Sequence, residues 1–437
     1  MNATGAEYRE QVGEDVRESM PPPAAMDRTP ARRLRVAYVY RNFNLSGSIE
    51  SLYVRQAERL AQYEDITAFC SSAERTATAA PVRFVDVDPI VRGQDRFRYA
   101  AECASFARRA TRSLRERRNE FDIVHVEGTA AYTADVVTVH AVRPAEIEHY
   151  FANVEPRARM RRHLTRVLRP QSGVVLGIER RLFATHPLCL VPTRRIKDDL
   201  SREYGVPADL IEIVPYPVKV ARPPDEARAR AQVRAEQGVP DDRLIALFVG
   251  RDVERKGLST AIESIARCAT PAELWVVGGG QAGPYRAVAG RLGVAERVRF
   301  FGPRPAEELG SWYAATDVLL LPSLQDAWGL PVVEAMAAGR VAVATEYTGS
   351  HEAIEPGLTG YVVANDGAAA AIAALLDGPL SDPQLRASIG ERAARAVAGY
   401  RFDAIYPRLL DAHRRAYERR RTREETSRRD GSLARNS

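Results

Sequence analysis

Short apolar runs alternate with longer amphipathic stretches from Leu34 onward. Leu34–Tyr40 is a β-rich apolar run, followed by a loop containing Ser46-Gly47-Ser48 and then by Ile49, Leu52, Ala57, Leu60 and Ala61 at helical spacing. This predicts a strand, a loop and a helix. Further apolar runs at Val82–Val87, Asp122–Val126, Ala134–His140 and Leu188–Val191 are separated by helical stretches, the pattern of a parallel sheet covered on both faces. A second series opens after Pro215-Tyr216-Pro217 and the charged, helix-prone Asp225–Gln237. Its strands are expected at Leu244–Gly250, Leu274–Gly278, Val298–Phe301, Val318–Leu321 and Val341–Thr345.

The economical reading is α/β, with two successive Rossmann-like, doubly wound domains at 34–218 and 219–398, facing one another across a cleft. Residues 1–33 are acidic, then Pro-rich, then basic, and are expected to be disordered. Residues 399–421 are expected to form a terminal helix, with Ile405, Leu409, Ala412 and Ala416 on its apolar face, and 422–437 a basic disordered tail. In such sheets ligands bind beyond the carboxyl ends of the strands. The loops after Tyr40, His140, Gly250, Gly278, Leu321 and Thr345 are therefore where chemistry is expected.

Composition narrows the class. No apolar run approaches the length of a membrane span, and Met1–Met26 shows no signal-peptide pattern, so the cytoplasm is the expected compartment. Cys70, Cys103, Cys189 and Cys268 are far apart and set among apolar neighbours, which argues against a disulfide framework or a zinc knuckle. The net charge of +6 is concentrated, since Arg414–Ser437 holds nine Arg against four acidic residues. A second cluster, Arg157 to Arg169, interleaves Arg with Met160, Leu164 and Val167 as a basic amphipathic helix. Its plain reading is a solvated face over a buried stripe. The alternative is docking on an acidic acceptor or, peripherally, on the inner face of an anionic membrane. No aromatic RNA-binding motif accompanies either cluster, so nucleic acid is not expected as a partner.

The most informative stretch runs from Leu321 to Gly339. A strand ends in a loop bearing Asp326, and a helix opens at Gly329-Leu330-Pro331 with Glu334 one turn inside it. A helix N-terminus presents free N–H groups suited to a phosphate. A carboxylate such as Glu334 suits the two hydroxyls of a ribose. A second constellation, Gly250-Arg251 through Lys256-Gly257, follows the first strand of the second half. Its glycines permit close backbone approach, and Arg251 and Lys256 supply the positive charge a departing diphosphate requires.

These stretches resemble the donor-binding signatures of the family 4 retaining glycosyltransferases of the GT-B fold. The matching elements are a Gly-Arg-x4-Lys-Gly loop, an acid-x7-Glu pair running into Gly-Leu-Pro-x-x-Glu-Ala-Met-Ala-x-Gly, and a turn with Glu at Thr348-Gly349-Ser350-His351-Glu352. The likeness covers residues 34–420 and is most specific from Phe301 to Val363. It implies that the second domain binds a nucleotide-sugar donor and the first an acceptor. Glu334 would hold the ribose, Arg251 and Lys256 the diphosphate, and Asp326 would contact the sugar near the reacting carbon. Gly250, Gly329, Leu330, Thr348 and Gly349 would complete the donor cradle. His140 would face the donor sugar from the opposite domain, Gly47 would belong to the acceptor-side loop, and the terminal helix would cross back to the first domain.

The implied activity is metal-independent transfer of a sugar, from a UDP-sugar by the family's habit, to an acceptor hydroxyl with retention, and with no cofactor. Asp326 stands where the family has Glu, one methylene longer. Gly47-Ser48 replaces a double glycine, Thr348-Gly349 a Gly-Gly turn, and Tyr216-Pro217 an Asn-Gly turn. None of these removes an expected charge, so altered specificity is expected rather than loss of activity. Alternatives are a nucleotide-sugar epimerase or glycan phosphorylase on the same fold, or a non-catalytic nucleotide-sugar or anionic-surface binding protein. Asp86-Val87-Asp88 reads as a strand-end turn rather than a metal motif, and His125, His186, Trp312 and Trp328 read as structural.

Overall fold

The computed structural model describes residues 32–45, 48–72, 78, 80–90, 96–152, 170–218 and 222–433. Residues 1–31, Gly47, the basic stretch 153–169 and residues 434–437 lie outside them. The described residues form two compact units, one of residues 32–215 together with 403–433, the other of residues 216–402.

The first unit is built on a seven-stranded parallel sheet of order β3-β2-β1-β4-β5-β6-β7. The strands are β1 (Arg35–Val39), β2 (Asp65–Cys70), β3 (Arg83–Asp86), β4 (Ile123–Glu127), β5 (Val136–Thr138), β6 (Leu188–Val191) and β7 (Ile211–Ile213). Val36 to Val39 are wholly buried, as a parallel strand covered on both faces must be. α1 (Ser48–Leu60) follows β1 and buries Leu52, Ala57 and Leu60. α2 (Arg96–Glu116) leads to β4, and α3 (Arg143–Ala152) and α4 (Pro170–Phe183) lie between β5 and β6. Asp88 accepts from the Ser71 and Ser72 hydroxyls and the Ser72 N–H, so it closes the turn after β3.

The second unit carries a six-stranded parallel sheet of order β10-β9-β8-β11-β12-β13. Its strands are β8 (Leu244–Val249), β9 (Ala272–Val277), β10 (Val298–Gly302), β11 (Val318–Leu321), β12 (Val341–Thr345) and β13 (Tyr361–Val363). The helices that concern the site are α5 (Glu226–Glu236), α6 (Leu258–Arg267), α7 (Ala306–Ala315) and α8 (Leu330–Ala337). Trp275, Phe301 and Trp312 pack ring against ring, so Trp312 is core. Trp328 packs likewise between Tyr216 and Tyr400. Those contacts and the Val218 N–H to Tyr400 O bond hold the crossing segment in this unit.

Two terminal expectations need correction. Order begins at Arg32 rather than Leu34: Arg32 pairs with Asp122, while Arg33 pairs with Asp65 and donates to the carbonyls of Ala61, Gln62 and Glu64, capping the end of α1. At the other end α9 runs Phe402–Leu433 through the region expected to be a disordered tail. Arg420–Glu424 and Arg421–Glu425 ion pairs at i,i+4 continue the helix, so the charge there is spread along a helical surface. Ile405, Leu409, Ala412 and Ala416 are all buried.

Arg234 on α5 is the most deeply buried cation described. It donates to the carbonyls of Ala315, Pro240, Asp241 and Arg243 and pairs with Asp317, which also accepts the Ile245 N–H. Arg234→Met should destabilise the protein by about 3 kcal/mol, because it strands a buried carboxylate and several carbonyls. Chemical denaturation reads this directly, and a loss of under about 1 kcal/mol would mean that Arg230, the carboxylate's other partner, suffices alone.

Candidate active site

In the second unit, the loops after β8, β9, β11 and β12 come together. Three glycines permit this: a Cβ on Gly278 would sit 1.8 Å from Gly250 O, one on Gly257 would sit 1.9 Å from Pro322 O, and one on Gly329 would sit 2.3 Å from the Thr348 methyl. All three have positive φ. Gly250 leaves room for the Lys256 stem, which a Cβ there would meet at 2.2 Å. The Gly278–Gly280 turn is thus a site of close backbone approach to the 250–253 loop.

Lys256 Nζ lies 2.8 Å from Asp326 Oδ2, and Arg255 Nη1 lies 3.5 Å from Oδ1. Burial alone would raise the Asp326 pKa, but the Lys256 and Arg255 charges hold the carboxyl well below the usual range. Asp326 therefore stays ionised. Its backbone ties a third loop, donating from N–H to Tyr347 O and accepting at C=O from the Gly349 N–H, each at 2.9 Å. Thr348 spends its hydroxyl on Leu321 O, and its methyl fills the space beside Gly329, so its side chain shapes the turn. Arg251 is exposed, with no ion pair among the described residues. Ser323 Oγ and Trp328 Nε1, in the same loop as Asp326, are buried with no hydrogen-bond partner among the described residues.

Gly329 caps α8 in a left-handed conformation, with Leu330 and Pro331 opening the helix. One turn in, Glu334 is buried and accepts a 3.0 Å hydrogen bond from the Tyr313 hydroxyl on α7. Burial first, and then the Glu334 charge, push the Tyr313 pKa up, so the phenol remains a donor. Tyr313 and Arg255 escape a reading by motif. Arg255 stands beside Lys256 in the same loop, but which of the two points inward is a matter of packing.

In the first unit a cavity of about 280 Å³ opens at the carboxyl ends of β1, β4 and β5, lined by Arg41, Tyr99, Cys103, Glu127, His140 and Arg143 among others. His140, just beyond β5, is half-buried, and burial pushes its imidazole down to about 4, leaving it neutral. The Tyr53 hydroxyl lies 2.8 Å from both ring nitrogens. Glu127, the last residue of β4, is fully buried, and burial pushes its carboxyl up to about 8. The rule that sites sit at strand carboxyl ends applies to Glu127 as it does to His140. His125 lies inside the sheet with His413 and is structural, and His186 is a left-handed turn residue before β6.

Residues 229–396 match the glycosyl transferases group 1 family and residues 49–222 match glycosyltransferase family 4. A D-inositol 3-phosphate glycosyltransferase of Xylanimonas cellulosilytica is 30% identical over 396 residues, 84% of this chain and 90% of that protein. The chain belongs to the family 4 glycosyltransferases. The corresponding Streptomyces coelicolor enzyme is 31% identical over 275 residues, 57% of this chain, and the match spans 60% of its length. Among solved structures, sucrose-phosphate synthase from Thermosynechococcus elongatus aligns over 88% of this chain and all of its own with a TM-score of 0.70 at 18% identity. Anabaena Alr3699/HepE in complex with UDP-glucose aligns over 87% of this chain and 99% of its own with a TM-score of 0.60 at 16% identity. The two parallel-sheet units are those of the GT-B architecture. No helix among the described residues is long and apolar enough to cross a membrane.

The sign of the Glu127 shift yields a prediction. A carboxyl raised in the folded state contributes stability that is complete below its ordinary pKa and is lost as pH rises through the folded value, here from about 4.5 to about 8. Glu127→Gln has no such proton to lose. Relative to wild type, the variant should gain at least about 1 kcal/mol of stability between pH 5 and pH 8, measured by urea unfolding at each pH. A constant difference across the range would show an ordinary carboxylate.

Proposed function

We propose that this glycosyltransferase takes a sugar from a nucleotide diphosphate donor, a UDP-sugar first, and moves it to an acceptor hydroxyl with retention and without a metal. The observation that carries the reading is Glu334, a buried carboxylate one turn into α8 held by the Tyr313 hydroxyl. A carboxylate so fixed beside a helix N-terminus suits a ribose whose diphosphate meets the free N–H groups of that terminus. The UDP-glucose complex of the structural neighbour Alr3699/HepE supports a UDP-sugar as the first donor to test.

As the sugar–phosphate bond breaks, negative charge grows on the leaving diphosphate. Arg251, exposed in the loop after β8, would neutralise it together with Lys256, whose charge is shared with Asp326. Asp326 would sit against the sugar, shorter by one methylene than the family's Glu. The first-unit cavity beside His140 would take the acceptor. The relatives' name makes an inositol phosphate the first acceptor to try. The departing phosphate would receive the acceptor's proton, so no enzymatic nucleophile is assigned.

Isothermal titration in EDTA should show UDP and UDP-glucose binding, with Glu334→Ala weakening both by at least about tenfold. Absence of UDP or GDP binding to folded protein would overturn the donor assignment. Asp326→Asn should keep UDP affinity within about threefold while lowering turnover by at least about a hundredfold, a separation that a binding-only role for this carboxylate would not produce. NMR of the product from α-linked UDP-glucose should show an α-glycoside, and a β-glycoside would exclude retention.

A further inference from the structure

The first unit carries a second cavity, of about 640 Å³, between the last turns of α2, the end of α4 and the segment joining β4 to β5. Arg108, Thr111, Arg112 and Arg115 line it from α2, Tyr132 from the β4–β5 segment and Arg181 from α4. No residue is shared with the cavity beside His140, to which the first half of α2 lends Tyr99 and Cys103. Four guanidinium groups thus surround one hollow. The carboxylate among its lining residues is Glu116.

The sequence of α2 sets this up at a cost to the helix. Phe106, Ala110 and Leu114 face the core, which leaves Arg108, Arg112 and Arg115 exposed together on the outward face at i, i+4 and i+7. Like charges at such spacings destabilise a helix. Other exposed helices offset their arginines with acids one turn away, as Arg267 with Glu263 on α6, and Arg415 with Asp411 and Arg420 with Glu424 on α9. On α2, Arg112 has such a partner in Glu116 at 2.8 Å, while Arg108 and Arg115 have no ion pair among the described residues. Both members of the Arg112–Glu116 pair are well exposed, so the pair is weak and readily exchanged for a ligand.

The walls are fixed to one another. The hydroxyl of buried Thr111 accepts the Tyr132 N–H at 2.9 Å, which fastens the β4–β5 segment to α2. Arg181 Cζ lies 5.3 Å from the centre of the Tyr132 ring, a cation–π contact that keeps this charge over the same segment. Three elements therefore hold a surplus of three positive charges about one concavity.

We propose that this cavity binds a phosphate-bearing ligand, with Arg108, Arg115 and Arg181 supplying the charge and Arg112 leaving Glu116 to join them. Guanidinium forks match phosphate oxygens in pairs, and a phosphate dianion neutralises more of the surplus than a carboxylate does. The volume exceeds what one phosphate fills, so there is room for the body that carries it. That body is a soluble compound or a lipid head group, since both present the same chemistry. The assignment is independent of the donor and acceptor readings, which concern other residues.

Two probes and a matched pair of variants test it on the whole chain. Arg108→Gln/Arg181→Gln removes two lining charges, whereas Arg109→Gln/Arg180→Gln removes two exposed charges one position away on the same helices, outside the lining. With saturating UDP present, wild type should bind inorganic pyrophosphate in isothermal titration. The lining variant should weaken this by at least about tenfold and the control variant by less than about threefold. Sedimentation with phosphatidylglycerol vesicles, and with phosphatidylcholine vesicles as the neutral control, forms the second arm. Pyrophosphate binding with this pattern assigns a soluble ligand. Binding confined to phosphatidylglycerol vesicles, again lost in the lining variant alone, assigns a lipid head group. Equal losses in the two variants would show unspecific attraction to a basic surface and overturn the proposal, as would wild type that binds neither probe.

Discussion

The Lys256 ammonium and the Asp326 carboxylate, 2.8 Å apart and largely shielded from water, tie the loop after β8 to the loop after β11. Backbone bonds from Asp326 to Tyr347 and Gly349 add the loop after β12. Three loops thus depend on one residue, and they come close enough only because Gly257 and Gly329 place no side chain where backbone or methyl atoms stand. A shielded ion pair contributes little net stability, since desolvation offsets most of its attraction, yet separating its members is costly. It serves geometry more than stability.

The two units solve different electrostatic problems. The second gathers cations, with Arg255 and Lys256 around an ionised Asp326 and Arg251 exposed nearby. A leaving diphosphate gains charge as it departs and is stabilised by such groups. The first unit instead sets a buried neutral carboxyl and a half-buried neutral imidazole at its cavity. Hydroxyl groups are recognised by hydrogen bonds, and uncharged donors and acceptors in a desolvated site supply these without the cost of burying charge.

Much of the sheet architecture was legible because parallel strands are buried on both faces and read as unbroken apolar runs, as Leu244–Val249 and Val318–Leu321 do. β2 was not, since Ile66, Ala68 and Phe69 continue the apolar stripe of α1 after only a short turn. β7 and β13, three residues each, are shorter than any periodicity can resolve. The extension of α9 past residue 421 was misread because Arg-rich sequence resembles a solvated tail unless the Arg–Glu pairs are counted at helical spacing.

By itself the sequence determined which residue types stand at the strand ends: Gly250, Lys256, Asp326, Gly329, Glu334 and His140 all follow strands whose apolar pattern is local and short-ranged. Spacing along the chain carries that information. Only the tertiary structure decided their partners. That Lys256 lies against Asp326, that Tyr313 holds Glu334, and that His413 reaches His125 across 288 residues depends on strand order and helix packing. Sheet order joins segments whose separation in sequence carries no trace of their contact, and burial then sets which of their groups keep a charge.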